Sequence, residues 1–172
     1  LGDSGSGKTT LLRYLALENA RILVENEAEG IEIGSTPDGA ITFRLSRPLP
    51  LYVDLSSYVE DRLPDEQLPD FILRTLTRDA NDDSTAALLS RLIANGQCLI
   101  LLDGIDQTVT DAHRRLVTSS VAHYGPLWAG QGNRVVVTGR LDAQSVAPLT
   151  SQFKRYLLRT LDRGQIGNFL LK

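Results

Sequence analysis

The stretch Gly2-Asp3-Ser4-Gly5-Ser6-Gly7-Lys8-Thr9 fits G-x-x-x-x-G-K-[ST] at every fixed position, and its reading decides the fold of this 172-residue chain. Phosphate oxygens need several donors at close range. Glycines let backbone N–H groups converge where side chains would block the approach, and a helix opening near Lys8 adds its positive end. Lys8 supplies a point charge for the β- and γ-phosphates, while the Thr9 hydroxyl suits a magnesium ion. The expected nucleotide-binding residues are therefore Gly2, Asp3, Ser4, Gly5, Ser6, Gly7, Lys8, Thr9 and Thr10, with ATP or ADP and Mg²⁺ as cofactors. A flexible Gly/Ser turn has a similar composition. Here, however, an amphipathic helix follows from Lys8 to Leu23, with Leu11, Leu12, Leu15 and Ile22 at near-helical spacing and Arg13, Glu18 and Arg21 mostly opposite.

Phosphate loops of this kind follow a buried parallel strand of about 5 residues, and only Leu1 stands before Gly2. The expectation is a fragment of a longer protein whose first strand is largely missing. Residues 26–47 are polar, with two short β-like runs, Ile31 to Ile33 and Ile41 to Leu45, around a turn cluster from Ser35 to Gly39; they predict a surface hairpin insertion. Pro48 and Pro50 lead into a strand from Leu51 to Leu55. Helices are expected over Pro69–Thr77 and Ser84–Ala94, the latter with Leu88, Leu89, Leu92 and Ile93 inward and stopped by Asn95 and Gly96. Cys98 to Leu102 is apolar without alternation, as in a parallel strand buried on both faces. Asp111 to Tyr124 reads as a helix, Arg134 to Thr138 as another buried strand, Tyr156 to Leu161 as a final strand, and Gln165 to Leu171 as helical. Strands and helices alternate, so the expected architecture is a single α/β domain, residues 1–172: a three-layer P-loop NTPase sandwich with a mostly parallel sheet.

Composition is that of an ordinary globular domain, 42% hydrophobic and 23% charged. A net charge of −3 creates no overall positive field for nucleic acid or an anionic membrane, so no direct binding to either is indicated. The single cysteine, Cys98, has no partner for a disulfide or a thiolate metal site, which favours a reducing, cytoplasmic setting. No apolar run approaches the roughly 20 residues of a membrane helix. His113 and His123 lack the companions of a zinc site, and Trp128 lacks basic and aromatic neighbours for base stacking. Asp61, Asp65, Glu66 and Asp70 read as a solvated acidic face.

Leu99-Ile100-Leu101-Leu102-Asp103 looks like a Walker B strand, whose terminal carboxylate holds magnesium opposite Thr9. The continuation Asp103-Gly104-Ile105-Asp106-Gln107 resembles the Asp-Gly-hydrophobic-Asp-Glu signature of NACHT ATPases of the STAND class. Leu49 to Tyr58 (LPLYVDLSSY) is similar to that family's proline-led second strand, Asn133 to Arg140 (NRVVVTGR) to its sensor 1 strand, and Tyr156 to Leu171 to its closing strand and helix. A second Asp directly after the magnesium aspartate, usual in the related NB-ARC group, is replaced here by Gly104. The resemblance implies a signal-transduction ATPase, commonly in innate immunity or programmed cell death, whose closed ADP form opens on ligand sensing, exchanges nucleotide and forms a homo-oligomer. Effector and sensor domains would lie outside residues 1–172.

Carried over by position, the resemblance makes Asp103 and Thr9 the metal residues, Asp106 the second acid and Arg140 the sensor of the γ-phosphate. Gln107 departs from the pattern. An amide cannot take a proton from water, although it can orient one, so hydrolysis is expected to be slow, with Asp106 the alternative base. Two other function classes stay open: a non-hydrolysing nucleotide-bound scaffold, and a conventional P-loop kinase or ATPase with a second substrate pocket. A GTPase is disfavoured by the lack of Asn-Lys-x-Asp, and an ABC ATPase by the lack of Leu-Ser-Gly-Gly-Gln.

Overall fold

The computed structural model describes residues 1–2, 5–25, 31–35, 41–79, 83–107, 110–140, 149 and 151–159. In chain order the elements are α1 (Lys8–Glu25), β1 (Ile31–Ser35), β2 (Ile41–Leu45), β3 (Leu49–Asp54), α2 (Leu55–Asp61), α3 (Leu68–Leu76), α4 (Asp83–Ala94), β4 (Cys98–Asp103), α5 (Asp111–Gly130) and β5 (Arg134–Val137). β4 is the middle of a three-stranded sheet, parallel to β3 on one side and to β5 on the other, with Tyr52 opposite Leu101 and Leu102 opposite Val137. All six residues of β4 are buried. Side chains alternate across a strand. Leu99 and Leu101 therefore meet Leu12 of α1 on one face, while Cys98, Ile100 and Leu102 join Phe71, Leu92, Val117 and Val121 on the other. Each such burial stabilises by about 1.5–3 kcal/mol. The result is a three-layer α/β sandwich with helices flanking a parallel sheet, a generic Rossmann-like topology.

Local chemistry sets the element ends. Asp54 closes β3 and also caps α2, its Oδ1 accepting from the Ser56 N–H at 2.9 Å; this helix is absent from the sequence reading, which took the same residues only as a strand end. α4 stops at Gly96, whose φ of +70° requires glycine and where a Cβ would stand 2.2 Å from the Gln131 carbonyl oxygen. The Thr110 hydroxyl caps α5 by accepting from the His113 N–H at 3.2 Å. α5 continues past the expected stop at Tyr124, through Gly125 and Pro126, to Gly130. Gly125 is there for space: a Cβ would lie 2.5 Å from the ring of Phe153.

β1 and β2 pair antiparallel, as expected for a hairpin within residues 26–47; residues 36–40 at its turn lie outside the described residues. Gln97 ties this hairpin down, its side-chain oxygen accepting from the Leu45 N–H at 2.7 Å and its carbonyl from the Leu49 N–H at 2.8 Å. Gln97 precedes β4, so that anchor is at the opposite end of the strand from Asp103.

Four packing expectations need correction. Leu88 is 48% exposed rather than inward, because α4 buries only the Leu89, Leu92 and Ile93 side of its helix. β5 is half-buried rather than enclosed, with Arg134 exposed, and among the described residues it is the last strand of the sheet. Glu66 does not belong to a solvated acidic face: its side chain is 7% exposed and receives Arg74 Nε at 2.6 Å and Nη2 at 2.8 Å. That Arg74 contact holds the Glu66 carboxyl below its ordinary range. Finally, 156–159 run without an assigned strand, yet Leu1 donates to the Tyr156 carbonyl and accepts from the Leu158 N–H, both at 2.8 Å, the bond pair of a parallel bridge. Residues 160–172, including the expected closing helix, lie outside the described residues. Between β5 and residues 153–158 runs a mostly apolar groove of about 260 Å³, lined by Leu1, Leu12, Val136, Leu149 and Phe153 among others. No helix among the described residues is long and apolar enough to cross a membrane.

Candidate functional site

The glycine-rich loop, the tip of β4 and the tip of β5 meet at one end of the sheet. Gly5 and Gly7 have φ of +75° and +86°, and among the described residues no heavy atom beyond the chain neighbours lies within 4 Å of where a Cβ would stand at either. The backbone conformation at both favours glycine. Gly2 is different. A Cβ there would come within 2.7 Å of Ser6 Oγ, so close packing favours the smallest residue. α1 starts directly on this loop, the Leu11 N–H bonding the Gly7 carbonyl at 2.8 Å. Lys8 folds back over it, its Nζ donating to the Gly2 carbonyl at 2.8 Å and to Ser6 Oγ at 3.2 Å. Thr9 is half-buried and Thr10 exposed in the first turn of α1. Asp3 and Ser4 lie outside the described residues.

Asp103 ends β4 and is only 4% exposed. Burying a carboxylate costs several kcal/mol unless donors surround it. Its Oδ2 accepts from the Tyr52 hydroxyl at 2.9 Å, and its Oδ1 from the Thr138 hydroxyl. Thr138 also accepts from the Gly104 N–H at 2.9 Å, bonds the Leu102 carbonyl through its own N–H and accepts from the Ile105 N–H through its carbonyl. One threonine thereby stitches the turn after β4 to the end of β5. Burial raises the Tyr52 phenol above its ordinary range, an effect that Arg13 offsets and Asp103 reinforces. At neutral pH it stays a donor.

Gly104 turns the chain with φ of +78°, and Gln107 closes that turn by donating its N–H to the Gly104 carbonyl at 2.9 Å. The Gln107 side chain is exposed and lies against Gly104, its Cδ 2.9 Å from where a Cβ would stand. Asp106, by contrast, is engaged. Its side chain is 7% exposed, with Oδ2 at 3.0 Å from Arg140 Nε and Oδ1 accepting from the Arg140 backbone N–H at 3.2 Å. Gly139, just before Arg140, accepts from the Gly2 N–H at 3.2 Å. A continuous set of bonds thus joins Lys8 to Gly2, Gly2 to Gly139, and the neighbouring Arg140 to Asp106.

The sequence pointed to Asp103, Asp106, Gln107, Arg140 and the loop; of these the bonds join Asp106 to Arg140 and Lys8 to Gly2, while Gln107 closes the turn that follows Asp103. It did not single out Tyr52 or Thr138. The available signal was position: Tyr52 sits on β3 and Thr138 directly follows β5, the two strands beside β4. Among the described residues no group of three His, Cys, Asp or Glu side chains converges to hold a metal. The donors at hand are one carboxylate and a threonine hydroxyl, hard oxygens of the kind magnesium uses together with water and substrate phosphates rather than within a protein cage.

No protein-family model matches this chain, and neither the curated proteins nor the solved structures include a match to it.

Proposed function

We propose that this domain binds ATP and ADP with magnesium and works as the nucleotide-dependent switch of a NACHT-type signalling ATPase, hydrolysing ATP slowly and governing the oligomerisation of a larger sensor and effector protein in immunity or cell death. The observation that carries this reading is the bonded continuity from Lys8 through Gly2 and Gly139 to Arg140 and Asp106, beside Asp103. These are the groups that a triphosphate would need together.

Each residue has a role that its present contacts suit. Lys8 exchanges the Gly2 carbonyl and Ser6 hydroxyl for phosphate oxygens, and the loop backbone at Gly5 and Gly7 takes the rest of the polyphosphate. Asp103 and Thr9 would hold the magnesium ion, which when bound supplies positive charge to the phosphate oxygens. Arg140, which now contacts Asp106, would turn to the γ-phosphate when ATP is bound. A second reading, a nucleotide-bound scaffold without turnover, is favoured by the engagement of Asp106 with Arg140 and by the amide at Gln107.

Calorimetric titration with ATP and ADP, with and without magnesium, tests the proposal. The wild type binds both nucleotides and Lys8→Ala abolishes binding. No binding by the wild type, or unchanged affinity in Lys8→Ala, overturns it; tight binding without any single-turnover hydrolysis selects the scaffold reading.

A further inference from the structure

Asp103 is a buried acid held by two neutral hydroxyls. Neutral donors fix a carboxylate in place without cancelling its charge, which leaves that charge available to a cation. Thr138 is occupied by the strand ends, bonding Gly104, Leu102 and Ile105 as well as the acid. Tyr52 has a different set of neighbours. Its ring joins Leu12, Leu15, Leu99, Leu101 and Val136 on the α1 face of the sheet, and the Arg13 guanidinium stands over it at 5.7 Å from the ring centroid. Phenylalanine would fill that apolar space equally well. The hydroxyl is therefore the part of Tyr52 that packing leaves unexplained, and it ends on Asp103.

Arg13 and Thr9 are one turn apart on α1, so both lie on the same helix face. Tyr52 thus touches the helix face that presents the Thr9 hydroxyl with its ring, and the metal acid with its oxygen. We infer that Tyr52 is a positioning residue for the cation site: it holds the Asp103 carboxylate at a set orientation relative to α1, so that the acid and the Thr9 hydroxyl face one magnesium ion without rearrangement. This inference rests on the nucleotide reading above. Pre-placed acceptors bind a cation more tightly because the cost of ordering them is met in folding rather than in binding. The role is confined to the metal. The Lys8 loop is built without Tyr52, so nucleotide binding in the absence of magnesium does not depend on the phenol.

The test is calorimetry on the whole chain with Mg·ATP, and with ATP in excess EDTA, for the wild type, Tyr52→Phe, Asp103→Asn and the double variant. Tyr52→Phe weakens Mg·ATP binding on the order of tenfold, the scale of one hydrogen bond to a charged group, and leaves the EDTA affinity within about twofold. In the Asp103→Asn background it has no further effect, because the phenol acts through the acid. Equal losses with and without magnesium, additive losses in the double variant, or no loss at all would overturn the inference. If Tyr52→Phe does not fold, Arg13→Ala decides, since Arg13 is exposed on α1: a magnesium-selective loss of about threefold supports the role, and a loss independent of metal or none overturns it. Failure of the nucleotide reading itself shows earlier and separately, as a wild type whose ATP binding is absent or indifferent to magnesium.

Discussion

Replacing Gln107 by glutamate separates the chemistry of this site from its fold. The Gln107 backbone is held by its bond to Gly104 at 2.9 Å and its side chain lies against that glycine. Glutamate has the same shape, so the new carboxylate takes the place of the amide. A well-placed general base contributes about 10²- to 10⁴-fold. Gln107 is exposed, and an exposed base is less well positioned, so single-turnover hydrolysis should rise at the low end, about 10- to 100-fold. Asp106 beside it already has Arg140 at 3.0 Å, which offsets the added negative charge. A residual repulsion of at most about 1 kcal/mol, as for exposed ion pairs, keeps the change in ATP affinity below about fivefold. Rapid-quench assays with enzyme in excess over γ-labelled ATP measure the first quantity, and calorimetry the second. Asp106→Asn should lower the rate if Asp106 is the working base, whereas Asp103→Asn should weaken magnesium-dependent binding itself. Unchanged hydrolysis in Gln107→Glu together with abolition in Asp106→Asn would make Asp106 the base and refute the weight placed on Gln107. If none of the three alters binding or turnover, residues 99–107 do not form the metal and hydrolysis segment.

Other outcomes follow from the same geometry. Arg140→Ala should lower ATP affinity about tenfold with ADP affinity unchanged; equal loss for both nucleotides in calorimetry argues against a γ-phosphate contact. The Arg74 contact lowers the Glu66 carboxyl only in the folded protein, so its stabilisation is complete above the ordinary value of 4.5 and is lost as pH falls through the lowered one. Glu66→Gln should therefore flatten the acid limb of the melting-temperature curve below that value, and an unaltered limb would contradict the pairing. Burial pushes the Cys98 thiol up to about 12. It should react with a disulfide reagent at pH 8 at least about a thousandfold more slowly in the native protein than in denaturant, and prompt native labelling would show β4 to be accessible. Gly96→Ala forces a Cβ to within 2.2 Å of the Gln131 carbonyl at positive φ, at a cost of about 2 kcal/mol or more. Thermal denaturation should show a fall of about 4–8 °C; a smaller shift would mean that the Gln131 turn yields.

Parallel strands announce themselves when both faces are buried, and Cys98 to Asp103 was legible for that reason. The helix α1 and the stop at Gly96 were legible from local pattern as well. What escaped the sequence were features decided by partners far along the chain. Gly125-Pro126 reads as a helix end, but Phe153 fills the space over Gly125 and α5 runs on beneath it. Glu66 looked like one acid among four until Arg74, on the next helix, closed on it. At the site, residue types and spacing pointed to the loop and Asp103, and the family resemblance to Asp106, Gln107 and Arg140, because both signals are carried by short contiguous motifs. Tyr52 and Thr138 belong to Asp103 only through strand register, and nothing in their own neighbourhoods announces it. Nor does any local pattern show that Asp106 and Arg140 face each other.

The groove along β5 bears on how this domain behaves in concentrated solution. Among the described residues, β5 has a strand beside it only on the β4 side, and Leu1 with Gly2 covers no more than the far tip of its other side. Backbone groups along such a margin act as a template that any extended chain can copy, including one from another molecule of the same protein. Three consecutive valines, Val135 to Val137, make the template sticky, and the charge of exposed Arg134 at its entrance opposes lengthwise stacking. The Arg134 charge is thus the feature of β5 that opposes such copying, and a segment paired along this margin would oppose it further.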